Sequence, residues 1–163
     1  MEAIYRSMMN AIRYGILLAL AIFLWAVAEW LIGLHGPLIR YHEYLSYFFA
    51  IPAVGIMYWG IANDASGPGP QLGFRGAFIK GMGITLVVTL LCPLVWYVFC
   101  MFVNPDFLDN MARHAIDTES MPAPLAMNRF SLSNHLLVSS LSIAVIGTVI
   151  SLVIAIIVAR RKS

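Results

Sequence analysis

Residues 81–102 form a run of 22 residues without a charged side chain. A helix needs about 20 apolar residues to cross the roughly 30 Å hydrocarbon core of a bilayer, where it satisfies its own backbone hydrogen bonds. Lys80 precedes the run and Asn104-Pro105-Asp106 follows it, so a charge and a break signal bound it. The run therefore predicts a transmembrane helix.

The composition extends this interpretation to the whole chain. Of its 163 residues, 61% are hydrophobic and 11% are charged, and the mean hydropathy is +0.83. A soluble domain carries about 25% charged residues, and a chain of this length could not bury so much apolar surface in water. We expect one all-α membrane domain over residues 1–163, an integral four-helix transmembrane bundle. The expected spans are about 14–34, 44–62, 78–103 and 135–159, with an outer loop at 104–134.

The outer loop contains one predicted helix. Asn104-Pro105-Asp106 has the form of an N-cap followed by a first-turn proline and acid, and apolar residues then recur at helical spacing. A short amphipathic helix at the membrane surface is expected there. Residues 120–134 contain two prolines and are expected to be irregular.

The first apolar segment has some features of a signal peptide, since Ala26-Val27-Ala28 has the form of a cleavage site. The apolar run continues past it to Leu34, which favours an uncleaved span. Cys92 and Cys100 lie eight residues apart in one predicted helix, a rise of about 12 Å, which is too far for a disulfide.

Basic residues beside span ends indicate orientation. Seven of them fall on one predicted side: Arg6, Arg13, Arg75, Lys80, Arg160, Arg161 and Lys162. Three fall on the other: Arg40, Arg113 and Arg129. This bias predicts a multi-pass protein of the bacterial inner membrane with both termini cytoplasmic and a periplasmic outer loop. The net charge of +2 gives no reason to expect a nucleic-acid partner.

Small residues recur every fourth position on two predicted spans and suggest close helix packing. They are Gly81 and Thr85 on the third span and Gly147, Ser151 and Ala155 on the fourth. We expect these stripes to pack within the bundle. The alternative is that the stripe on the fourth span forms a homodimer seam.

Glu29 is the one acid inside a predicted span, which makes it a candidate intramembrane polar site. Trp25 and Trp30 flank it, and tryptophan favours the headgroup boundary. The residue is therefore expected at the outer interface or in a structural ion pair, with a proton or cation relay as the alternative.

The four histidines, His35, His42, His114 and His135, all fall on the predicted outer side. Their spacing matches no compact ligand motif, so interface histidines are favoured over a metal site. No nucleophile elbow, phosphate-binding loop or paired-acid motif occurs. We therefore expect no catalytic residue, no cofactor and no metal.

Several segments together resemble an uncharacterised bacterial family of small four-helix inner-membrane proteins, a domain-of-unknown-function family. They are Gly73-Phe74-Arg75-Gly76-Ala77-Phe78 with Lys80-Gly81, Phe102-Val103-Asn104-Pro105-Asp106-Phe107, and Gly147 through Ser151-Leu152 to Arg160-Arg161-Lys162. The resemblance covers most of the chain from residue 73 and is weaker before it. It implies four spans and an inner-membrane address, and it supplies no activity, ligand or functional residue.

These observations favour a non-enzymatic accessory or structural component that acts through helix–helix or lipid contacts, with the bilayer and a possible homo-oligomer or larger membrane assembly as partners. A small oligomeric transporter or channel is the alternative, using Glu29 and helix breaks at Pro52 and Pro93. A third class is a lipid-modifying enzyme that uses the outer histidines.

Overall fold

The computed structural model of the chain describes residues 2–62 and 73–160. The glycines and prolines of residues 63–73 predict a turn-rich loop, which lies outside this part except for Gly73, as do the last three residues. The described residues contain helices and turns and no strand. The α-helices are α1 (Glu2–Leu31), α2 (His42–Ser46), α3 (Ala50–Ala62), α4 (Phe74–Val98), α5 (Phe107–Asp117), α6 (Ala123–Arg129) and α7 (Leu132–Arg160).

Within the described residues, four helical segments are long and apolar enough to cross a membrane. They are Tyr5–Leu31, Ile39–Ala62, Phe74–Val103 and Leu132–Arg160. The predicted all-α class and its four apolar spans are thus confirmed. The first helix begins earlier than expected and ends at Leu31 rather than at residue 34.

The end of α1 has the geometry of a Schellman motif. The amide of Leu34 donates to the carbonyl of Glu29 at 2.9 Å, and that of Gly33 donates to Trp30 at 3.0 Å. Gly33 has φ +85°, a left-handed conformation that glycine adopts without a Cβ penalty. The chain therefore reverses sharply here and carries residues 34 and 35 back into the bundle.

The second span is a series of short helical pieces. A 3-10 turn at Ile39–Tyr41 leads into α2, and a second one at Tyr47–Phe49 leads into α3. Pro52 lies in the first turn of α3, where its missing N–H breaks no helical hydrogen bond, rather than inside a continuous helix.

The third span contains Pro93 within α4, as predicted, and ends in a π-helical turn at Phe99–Val103. In that turn the amide of Asn104 donates to the carbonyl of Phe99 at 2.9 Å. The wider turn brings Phe99 and Cys100 into the interior, where both are buried.

Two expectations for the outer loop need correction. The N-cap of α5 is Asp106 rather than Asn104, and it makes no side-chain cap bond. The segment expected to be irregular at 120–134 contains α6, for which Pro122 is the N-cap. Prolines are compatible with a helix start because the first-turn N–H groups have no partner inside the helix. The predicted amphipathic helix is α5 itself, with Phe107, Ala112 and Ala115 buried.

The small-residue stripes of α4 and α7 pack against each other. A Cβ at Gly81 would lie 2.6 Å from Cβ of Ser151, and one at Gly147 would lie 2.7 Å from Cγ2 of Thr85. The hydroxyl of Ser151 donates to the carbonyl of Gly147 at 2.7 Å and lies 3.3 Å from Oγ1 of Thr85. Ser151 and Ala155 are fully buried, so the contact within the chain occupies this face.

Candidate functional site

Glu29 lies near the end of α1 and points into the bundle. It is only 5% exposed. Its Oε1 accepts hydrogen bonds from Nε1 of Trp25 at 2.7 Å and from the hydroxyl of Ser46 at 2.6 Å. The carboxylate is therefore hydrogen-bonded to side chains of two spans and does not face the lipid headgroups.

Two histidines approach the other carboxylate oxygen of Glu29. Nε2 of His35 lies 3.5 Å and Nε2 of His42 lies 3.7 Å from Oε2. The reversal after α1 turns His35 inward, and the 3-10 turn at Ile39–Tyr41 places His42 at the start of α2. We call Glu29, His35 and His42 the acid–imidazole cluster; their ligand atoms all lie within 4.8 Å of one another.

His35 is held by residues at the end of the third span and on α5. It is 1% exposed. Its Nδ1 lies 3.4 Å from Nδ2 of Asn104, and its carbonyl accepts a hydrogen bond from Nδ2 of Asn110 at 2.9 Å. The ring of Phe107 packs 4.5 Å away, centroid to centroid. The π-turn and α5 thus fix the ring, yet Nε2 of His35 makes no hydrogen bond.

The other two histidines lie outside the cluster. His135, at the start of α7, packs its ring edge-on to Trp96 at a centroid distance of 4.7 Å. His114 is on α5 and is partly exposed.

Sequence reasoning named Glu29 and the outer histidines His35 and His42 separately, and did not predict that they meet. The interval of six residues from Glu29 to His35 matches no helical face, and Gly36-Pro37 interrupts any helix between His35 and His42. They become neighbours because the chain turns twice between α1 and α2. The local signal was Gly33 directly after an apolar helix, which is typical of a helix C-terminus.

A cavity of about 450 Å³ adjoins the cluster. Glu29, His42 and Ser46 line it from one side, and His135 and Arg129 line it from the other. A second cavity of about 230 Å³, here called the cleft, continues along α7. The two cavities share seven lining residues, namely Ile22, Ser46, Tyr47, Phe49, Ser142, Ile143 and Ile146. Polar groups thus lie at one end of a space whose remaining walls are mostly apolar.

A four-span bundle with a buried acid–imidazole cluster and an adjoining cavity defines a class of protein, a multi-pass membrane protein with a polar site at one end. The chain belongs to the family described as "Protein of unknown function (DUF4199)", whose model matches residues 13–160. This confirms the resemblance and extends it over the first two spans. No curated protein and no solved structure matches the chain.

Proposed function

We propose that this protein is a non-enzymatic membrane component that binds a single anionic phospholipid in the cleft between α3 and α7. One observation carries the proposal, namely the continuity of the polar cavity with the apolar cleft. Amphiphiles have the same gradient, a charged head beside an apolar tail. The cavity of about 450 Å³ is within the range of about 300–1,000 Å³ usual for ligand sites.

The level of the cavity in the membrane supports a lipid. Trp30, Tyr41 and Tyr47 are exposed at this end of the bundle, and aromatic residues of this kind mark the headgroup boundary. Tyr47 and Ile146 line the cleft and are 71% and 57% exposed, so its sides open towards the bilayer. A lipid could enter from the bilayer with its headgroup at the level of the cavity.

The charges at the cavity favour an anionic headgroup. Arg129 lines the cavity beside His135, and a guanidinium matches a phosphate in geometry and charge. The negative charge of Glu29 is directed at the two imidazoles and at its two hydrogen-bond donors, Trp25 and Ser46.

The arrangement of the polar groups argues against hydrolytic chemistry. In a catalytic triad the imidazole lies between the hydroxyl and the acid and takes the proton of the hydroxyl. Here the carboxylate of Glu29 lies between the hydroxyl of Ser46 and the imidazoles. The hydroxyl of Ser46 therefore lacks the imidazole base of a triad, which supports a binding role over triad hydrolysis.

The biological setting follows from the basic residues. We infer a bacterial inner membrane with both termini cytoplasmic, which places the cavity at the periplasmic end. The lipid site then faces the outer leaflet, and a homo-oligomer or a larger assembly could use the lipid-facing surfaces that the cleft leaves free.

Native mass spectrometry of the protein in mild detergent tests the proposal. We expect one retained anionic phospholipid per chain, and we expect Ile146→Trp to abolish retention because the indole fills the cleft. Leu141→Trp is the matched control, since Leu141 is on α7, is 57% exposed and lies outside both cavities. Equal lipid retention in both variants would show that the lipid is only part of the surrounding shell.

A small transporter is the second candidate, since Glu29 lines a cavity instead of packing in an apolar core. Proton or cation flux into proteoliposomes, absent in Glu29→Gln, would favour it. Flux equal to that of empty vesicles would rule out transport and leave lipid binding as the proposed role.

A further inference from the structure

The acid–imidazole cluster has the donor set of a transition-metal site. Two imidazole nitrogens and one carboxylate oxygen are ligands that zinc accepts, whereas calcium and magnesium prefer oxygen alone. We propose that Glu29, His35 and His42 bind one divalent zinc ion. This goes beyond the lipid-binding role and does not rest on it.

The distances between the donor atoms fit tetrahedral coordination. Ligand atoms about 2.0–2.1 Å from zinc lie about 3.3 Å from one another in a regular tetrahedron. Oε2 of Glu29 lies 3.5 Å from Nε2 of His35 and 3.7 Å from Nε2 of His42. Both separations are within a few tenths of an ångström of that value. The two imidazole nitrogens lie within 4.8 Å of each other, so the rings need to move towards each other to hold the ion.

The unpaired nitrogen of His35 is the second, independent observation. A buried polar atom normally has a hydrogen-bond partner. His35 is 1% exposed, and its Nε2 points towards Glu29 without forming a hydrogen bond. A metal ion between Nε2 and Oε2 would satisfy the two atoms together.

The surrounding residues orient the three ligands. Trp25 and Ser46 hold Oε1 of Glu29, which leaves Oε2 for the ion. The carboxamide of Asn104 lies 3.4 Å from Nδ1 of His35. When the Asn104 carboxamide is rotated by roughly 180° about its last side-chain bond, its oxygen accepts a hydrogen bond from Nδ1–H of His35. The lone pair of Nε2 is then free to coordinate the ion. Groups that hold ligating histidines in this way are a regular part of metal sites.

The site leaves one coordination position open. Glu29 and His42 line the cavity and His35 lies behind them, so the fourth position faces the cavity. A water molecule or an oxygen of a bound headgroup would fill it. Three protein ligands with an open fourth position differ from a structural zinc site, which is closed by four protein ligands.

Titration with Co²⁺, a zinc substitute with a visible spectrum, tests the site directly. The full chain is purified without a histidine tag, stripped with a chelator and kept in mild detergent. We expect one Co²⁺ per chain with the intense visible absorption of tetrahedral coordination, and displacement of Co²⁺ by one equivalent of Zn²⁺.

Variants locate the ion. His42→Ala and Glu29→Gln should weaken binding by more than the roughly 10–100-fold that loss of a ligand-orienting group costs, and Asn104→Leu should fall within that range. His114→Ala is the matched control, because it removes a partly exposed histidine outside the cluster and should leave binding unchanged.

Helical circular dichroism and elution volume show whether each variant folds, and His42→Asn replaces His42→Ala if that chain does not. Absence of Co²⁺ binding, or equal binding by the His42 and His114 variants, would overturn the site. Neither result bears on lipid retention, so the two proposals fail separately.

Discussion

Gly81 is a residue at which α4 approaches α7 closely. The nearest atom to a Cβ at this position is Cβ of Ser151, at 2.6 Å, which is attached directly to the backbone of α7 and cannot rotate away. We expect Gly81→Ala to force the helices apart and to lower the free energy of unfolding by about 1–3 kcal/mol. Thermal unfolding in mild detergent measures the change.

Gly55→Ala is the control for this substitution. Gly55 is also helical, and nothing lies within 4 Å of a Cβ there. Alanine is the better helix former by about 1 kcal/mol, so this variant should be as stable as the original chain or more so. Equal destabilisation by both substitutions would contradict the close approach at Gly81.

The residues of the candidate site differ in how far the sequence predicts them. Glu29 can be recognised from the sequence alone, because acidic residues within apolar spans are rare. His35 is not, because its position depends on Asn110, which is 75 residues away and donates to its carbonyl. Contacts of this kind depend on how separate helices pack, which no single-sequence pattern encodes.

Among the elements, the packing of α4 on α7 determines the architecture, and a disulfide can test it. A Cβ at position 147 would lie 3.2 Å from Cβ of Thr85, close to the roughly 3.5–4.5 Å of a disulfide. We expect Thr85→Cys with Gly147→Cys, in a background lacking Cys92 and Cys100, to form a disulfide within one chain. A protease site after Glu119 reports it, because the cut fragments stay joined until reduction.

The control pair for the disulfide is Thr85→Cys with Val145→Cys. Val145 is 65% exposed and lies on the opposite side of α7 from Gly147, so no bond within the chain is expected. Disulfide-linked dimers of the 85/147 pair would instead indicate that the stripe of α7 meets a second copy.

The spans themselves are predictable from apolar length alone, whereas the irregular elements that build the site are not. The two prolines of 120–134 favour an irregular segment, yet Pro122 is the N-cap of the helix at Ala123–Arg129. No pattern in the composition predicts the π-turn at Phe99–Val103, although this turn buries Phe99 beside His35.

At the scale of the whole molecule, four spans require the start of α1 and the end of α7 to lie on the same side of the membrane. The excess of basic residues at that side predicts that it is the cytoplasm. We expect a fluorescent protein to be active at either end of the chain and alkaline phosphatase, which is active only outside, to be inactive there. The same phosphatase inserted after Glu119, in the exposed turn between α5 and α6, should be active. Opposite results at the two ends would mean an odd number of crossings, and the bundle of α1, α3, α4 and α7 could not then be the membrane form.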